Sequence, residues 1–279
     1  TYGADAGSTR FSPLGDITLR NVNTLVRAWT YHEFVPPPPP PAGAPAPPPA
    51  GRGGRGGGVG PRASDATPIV VGGIMWLPTP YNTVVALEAD TGKELWVYRS
   101  DAGVTSRGVE YWPGDGTAPP MIIFGSGGFL VGLNAKTGVP VPTFGNDGKV
   151  DFKQGVTNGF ATGNVTLSTP PKVYKNLVIT GSRVQESPAL GFAGDTRAWD
   201  LRTGKLVWQF HHVAQPGEIG SDTWEDDSWA NRSGVNTWGF ISVDPALGLV
   251  YLPTGSPSYD FYGGDRKGTN LFANSIIAL

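Results

Sequence analysis

The chain has 279 residues and a formal net charge of −2, with 39% hydrophobic and 16% charged residues. That composition can fill a substantial core, and it carries no basic excess to steer the chain onto nucleic acid. Cysteine is absent, which excludes disulfide frameworks, thiolate zinc sites, a cysteine nucleophile and covalent haem attachment within these residues.

Residues 1–34 read as an N-terminal lead-in and first strand. Residues 35–63 then change character: "VPPPPPPAGAPAPPPAGRGGRGGGVGPR" from Val35 to Arg62 is Pro-rich and then Gly/Arg-rich. The first half favours extended polyproline II and the second a loose coil, so a disordered, solvent-exposed insertion is expected. Residues 64–279 are strand upon strand. "TPIVVGGIMWLPT" gives two apolar runs around Gly72-Gly73, a hairpin signal. "NTVVALEADTGKELWVYR", "PPMIIFGSGGFLVGLNAKTG" and "GDTRAWDLRTGKLVWQF" repeat the scheme, the second with Gly125, Gly127 and Gly128 assigned to its turn. "GFISVDPALGLVYLPTG" opens a fourth round, of which "NSIIAL" is the third strand. No segment has helical periodicity, and no apolar run approaches the ~20 residues of a membrane-spanning helix. The chain opens on Thr1 and stops in mid-pattern, so a piece of a longer protein is expected.

One phrase recurs: "ALEADTGKELW" at 86–96, a worn "GLNAKTGVPVP" at 132–142, and "AWDLRTGKLVW" at 198–208. A repeat of ~40–50 residues with loop insertions implies one four-stranded sheet per repeat. Packed radially, such sheets bury both faces and shield their edges, so the expected fold is an all-β propeller of four-stranded blades, about four of them in this chain. Within the phrase, Gly supplies the turn and the Asp or Asn before it caps free amides. Trp96 and Trp208 are read as wedges between neighbouring sheets, each with one N–H for a backbone carbonyl.

This repeat resembles the tryptophan-docking repeat of the pyrroloquinoline-quinone (PQQ) dehydrogenases, eight-bladed propellers that oxidise alcohols or sugars. The likeness is carried by "YGADAGSTRFSPLGDITLRNVNTLVRAWTYH", "SRGVEYWPGDG", "TWEDDSW", "NTWGF" and "YLPTGSPSYDFYGGDR", in order, and spans the chain outside the Pro/Gly stretch. The last signature is nearer the membrane-type glucose dehydrogenase branch than the methanol branch. The resemblance implies PQQ and calcium as cofactors, a small sugar or alcohol as substrate, a membrane quinone or cytochrome as electron acceptor, and a periplasmic setting.

It also implies a set of site residues. Trp238, a core indole on residue type alone, matches the platform under the quinone. Arg107, otherwise a surface arginine, matches the cation that pairs with the cofactor, a role suited to a planar guanidinium fork. Asp65, also readable as a turn or cap residue, and Ser168, also an ordinary loop opening, match cofactor-contacting positions, as does Asn236. Glu186, otherwise a solvated loop carboxylate, matches the calcium ligand, and calcium takes oxygen donors. Ser256 and Ser258 lie where the branches place an amide or hydroxyl metal ligand. The carboxylates of "TWEDDSW" are read as structural. His211 and His212 are read as pointing opposite ways, a poor metal site. The family's catalytic aspartate falls in a stretch beyond Leu279, so no catalytic residue is assigned within the chain and the isolated piece is expected to be inactive. The alternative is a non-catalytic scaffold or binding propeller built from the same repeat.

Overall fold

Four antiparallel sheets follow one another along the chain in the computed structural model, which describes residues 3–5, 7–33 and 64–279. The Pro/Gly-rich stretch at 35–63 lies outside the described residues. Sheet one contains β1 (Ile69–Val71), β2 (Ile74–Thr79), β3 (Thr83–Glu88) and β4 (Glu94–Arg99). Sheet two contains β5 (Glu110–Trp112), β6 (Met121–Ser126), β7 (Phe129–Asn134) and β8 (Lys149–Asp151). Sheet three contains β9 (Lys172–Tyr174), β10 (Leu177–Thr180), β11 (Thr196–Asp200) and β12 (Leu206–Phe210). The fourth has three strands, β13 (Ser242–Asp244), β14 (Leu249–Pro253) and β15 (Ile276–Ala278). Among the described residues there is no α-helix, only three 3-10 turns. Each sheet is a meander of sequence-adjacent strands, the topology of a propeller blade.

The core is divided into slabs between successive sheets, and the period-2 alternation of side chains explains how one strand serves two slabs. On β6, Ile122 and Phe124 pack with Ile69, Trp76 and Val84 of sheet one. Met121 and Ile123 of the same strand pack instead with Val178 and Trp199 of sheet three. On β11, Trp199 joins that slab while Ala198 turns toward Val243, Val250 and Leu252 of sheet four. Central strands are therefore apolar on both faces, and β6 is buried at all six positions. Gly125 belongs to this strand rather than to the turn: Gly127 and Gly128 make the connection to β7, and Gly125 accepts the close approach of Leu167.

The turns between third and fourth strands carry the recurring phrase. Asn134 Oδ1 accepts from the backbone N–H of Lys136 and Thr137, and Asp200 Oδ1 accepts from Arg202 and Thr203. These caps hold the turn in one shape, which the preceding sheet then uses as a seat. Trp29 Nε1 donates to the carbonyl of Ala89 at 3.0 Å, and Trp96 Nε1 to that of Ala135 at 3.1 Å. The Trp96 ring lies flat over Gly138, where a Cβ would come within 2.6 Å of it.

At the seam between sheets two and three the chain has Pro142 where the phrase elsewhere has tryptophan. Main chain takes the indole's place: Gly145 N–H donates to the carbonyl of Thr203 at 3.0 Å, and Gly145 packs directly on Gly204. A buried Arg197 reinforces this seam. Its Nη1 donates to the carbonyls of Phe152 and Gln154 at 2.8 and 2.9 Å, and its guanidinium lies 4.5 and 5.1 Å from the ring centroids of Phe152 and Trp199. At the third seam Trp208 is half-buried and lines an apolar cavity of about 340 Å³ with Tyr174, Ile179, Val243 and Leu279.

Candidate functional site

Loops at one end of the sheets bring the expected residues together. Residues 234–238, late in the long connection from β12 to sheet four, press against the chain just after β10. Ser182 N–H donates to the carbonyl of Thr237 at 3.0 Å, and Asn236 Nδ2 donates to the carbonyl of Ser182 at 2.7 Å. This approach demands glycine at 181, because any Cβ there would overlap the Thr237 carbonyl oxygen. Gly255 N–H donates to the carbonyl of Asn236 at 3.1 Å, and the sequel of β14 is thereby laid along the same loop. Trp238 follows with its ring 52% exposed.

Arg107 reaches that ring from the loop between sheets one and two, its Cζ 5.5 Å from the ring centroid. The Arg107 carbonyl accepts from Thr67 N–H at 3.2 Å; Asp65, two residues earlier, is exposed. Ser168 Oγ donates to the Trp238 carbonyl at 3.3 Å, and Thr169 Oγ1 to the Gly239 carbonyl at 3.1 Å. Arg107, Ser168, Asn236 and Trp238 thus share one locus, built from three different inter-blade loops.

The expected metal residues lie on the neighbouring loops. Ser258 is buried; its Oγ donates to the carbonyl of Gln185 at 2.7 Å, which ties the 256–260 loop to Glu186. Ser256 Oγ donates to Asn274 Oδ1 at 3.1 Å. Glu186 is exposed and faces Asp260, whose carboxyl is held above the ordinary aspartate value by partial burial and then by the Glu186 charge, with Arg266 opposing. Among the described residues no group of three or more His, Cys, Asp or Glu could hold a metal by itself. Glu186, Asp260, Ser256 and Asn274 are nonetheless all oxygen donors, the type a hard divalent cation takes. Asp260 and Asn274 were not among the residues singled out by sequence; Asp260 lies two positions from Ser258, whereas nothing along the chain points from Ser256 to Asn274, 18 positions on.

Other features take no part in these contacts, except that His212 backs the 234–238 loop. In "TWEDDSW", Trp224 is buried with Nε1 donating to the Leu271 carbonyl at 2.7 Å, while Glu225, Asp226 and Asp227 are exposed. His211 turns outward to Glu218 at 2.8 Å, whereas His212 is fully buried with Nδ1 at 2.7 Å from the Val235 carbonyl. The two imidazoles do diverge.

The whole chain, residues 1–279, matches the family described as PQQ: glucose/ethanol/alcohol dehydrogenase, β-propeller domain. The chain belongs to this family. It is 30% identical to the quinate/shikimate dehydrogenase (quinone) of Acinetobacter baylyi, with all of the chain covering 35% of that protein. To the quinoprotein glucose dehydrogenase of Escherichia coli it is 30% identical, again over all of the chain and 35% of the relative. Among solved structures, the quinohemoprotein alcohol dehydrogenase of Pseudomonas putida HK5 superposes with a TM-score of 0.77 at 26% identity, over all of this chain and 37% of that one. A europium-containing methanol dehydrogenase gives 0.71 at 25% identity, over all of this chain and 46% of that one. The chain thus spans about a third of the length of the curated relatives it matches, and its four sheets form an open part of a propeller.

Proposed function

We propose that this chain is the part of a PQQ-dependent sugar or alcohol dehydrogenase that grips one side of the cofactor. The observation that carries the reading is the Arg107 cation set against the half-exposed face of Trp238. A planar, electron-poor, anionic ligand needs a flat π surface and a forked cation together, and neither is of use to a scaffold at this spot. Trp238 supports the ring plane. Arg107 takes a carboxylate or quinone oxygen bidentately, and Ser168, Asn236 and Asp65 complete the polar rim. Glu186, with Ser256 and Ser258, offers oxygens to a calcium ion; the Ser258 hydroxyl proton is already committed to Gln185, so only its lone pairs are free for a cation.

PQQ, when bound, supplies the hydride acceptor and the protein supplies its position and field. A carboxylate base from outside these 279 residues takes the substrate's hydroxyl proton, and a membrane quinone or cytochrome on the periplasmic side receives the electrons. The test is a titration of tryptophan fluorescence with PQQ. Saturable quenching that is lost in Trp238→Ala and in Arg107→Ala is expected. A flat titration of the unaltered protein retires the reading and leaves a scaffold propeller.

A further inference from the structure

The Trp238 platform follows a strained turn. Val235, three residues before it and fully buried, has a φ of +40, a left-handed value that a β-branched residue holds only under restraint. Two bonds supply the restraint. Val235 N–H donates to the Ser256 carbonyl at 3.0 Å, and the Val235 carbonyl lies 2.7 Å from His212 Nδ1. A carbonyl only accepts, so Nδ1 carries the proton, and burial keeps the imidazole neutral. Nε2 is therefore a bare lone pair, buried, with no hydrogen-bond partner among the described residues.

Two more buried polar atoms share that condition, Oγ1 of Thr196 and Oγ1 of Thr237. The sheet register puts them beside the imidazole. Thr196 pairs with Phe210 across β11 and β12, and His212 lies two residues past Phe210, so its ring takes the same side, the one that faces sheet four. The Phe210 and His212 ring centroids are 5.6 Å apart. One step beyond the Thr180–Arg197 pair, Gly181 faces Thr196, and a Cβ at Gly181 would come within 3.1 Å of the Thr237 Cβ. Ser182 Oγ, on the Gly194 carbonyl at 2.7 Å, keeps the two chain segments together here.

We propose that His212 Nε2, Thr196 Oγ1 and Thr237 Oγ1 bind one internal water, and that His212, so loaded, is the positioning residue for the Trp238 platform. The second half rests on the PQQ dehydrogenase reading. Water fits the donor count: one hydroxyl donates to it, and it donates to Nε2 and to the other hydroxyl, the three bonds usual for a buried water. Left bare, each of these atoms would carry the desolvation cost of a lost hydrogen bond. With the water, both ring nitrogens are engaged and the imidazole is fixed in one tautomer. The loop is then held at Val235 and at Thr237 by the same side chain. His212 acts through this loop and not on the cofactor itself.

The experiment uses the full-length protein. A high-resolution crystal structure should place a water about 2.7–3.2 Å from all three atoms; a dry site, or a threonine hydroxyl bonded directly to Nε2, overturns the proposal. In solution, Thr196→Val and Thr237→Val should each weaken PQQ binding, read by tryptophan quenching, about three- to fivefold. The double variant should lose about as much as either alone, because the water leaves with its first lost partner. Losses that multiply overturn the shared site. His212→Leu should weaken PQQ about tenfold or more, and His212→Asn, which keeps a donor near the Nδ1 position, should recover part of it. Exchange of the Ser182 amide, which is bonded to the Thr237 carbonyl, is followed in the same samples and should quicken in each valine and leucine variant. Unchanged Ser182 exchange in His212→Leu overturns the positioning role. A flat PQQ titration of the unaltered protein, with the crystal water present and Ser182 exchange still responding, would retire the redox reading and leave the water site standing.

Discussion

The rim of this propeller and its hub are built on different rules. At the rim, a capped turn with glycine at a fixed place receives a group from the preceding part of the chain, and the same solution recurs at Ala89, Ala135 and Thr203. At the hub, Trp238 is positioned by Ser168, Asn236, Gly181 and Gly255, which come from loops that do not share the recurring phrase. Local rules make rim contacts independent of one another, whereas the hub is a network in which one displaced loop moves the side chains of several others.

The sharpest way to break this comparison is Gly181→Ala. The methyl group would overlap the Thr237 carbonyl and push the 234–238 loop away. An ångström of displacement at Trp238 is expected to cost PQQ binding about 10²-fold, measured by fluorescence quenching, while the rim keeps its hydrogen-exchange protection. Gly204→Ala is the rim counterpart. It places a Cβ against the Gly145 backbone at a φ of +68 and is expected to destabilise by about 3 kcal/mol in urea unfolding, with exchange opening confined to the seam between sheets two and three. Next, Trp96→Phe keeps much of the ring contact but removes the hydrogen bond to Ala135, an expected loss of about 1 kcal/mol.

The third seam adds a pH arm. His212 is fully buried, and burial pushes its imidazole down to about 4 from the ordinary 6.5, so the folded state holds it neutral. Its stabilising effect is complete above pH 6.5 and is lost as the pH falls through about 4, because the unfolded state then binds the extra proton. Thermal unfolding across that window should show the loss, and His212→Gln should flatten it. Smallest of all is Asp115→Asn. Asp115 pairs with Arg202 across the second seam and also accepts from Thr117 and Ala118, bonds an asparagine Oδ1 can keep; the part of any change that comes from the ion pair should vanish at high ionic strength.

What was legible in the sequence follows the same division. The strands and the capped turns could be read because each depends on residues a few positions apart, an Asp or Asn cap and a glycine, and Trp96 could be read as a wedge between sheets, although its seat at Ala135 lies 39 residues on. Gly125 was misassigned because glycine in a strand and glycine in a turn look alike until Leu167 is seen against it. The hub residues Arg107, Ser168 and Trp238 could be named only through family likeness, since no spacing in the chain signals that loops 70 residues apart will meet. The place of His212 stayed hidden for that reason: a histidine in "FHHVA" says nothing of the Val235 carbonyl it meets. Asp260 and Asn274 were missed likewise, their significance lying wholly in what Glu186 and Ser256 bring beside them.

The bond from Gly145 to Thr203 uses atoms that every amino acid except proline possesses. A joint of that kind is not erased by exchanging the side chain of its acceptor, but Thr203 Oγ1 also donates to Asp200 Oδ1 and accepts from Lys205 N–H, so a replacement there loosens the turn rather than the bond. Drift at this boundary should therefore be confined to changes that leave Gly145 and Gly204 bare, since a Cβ on either would strike main chain.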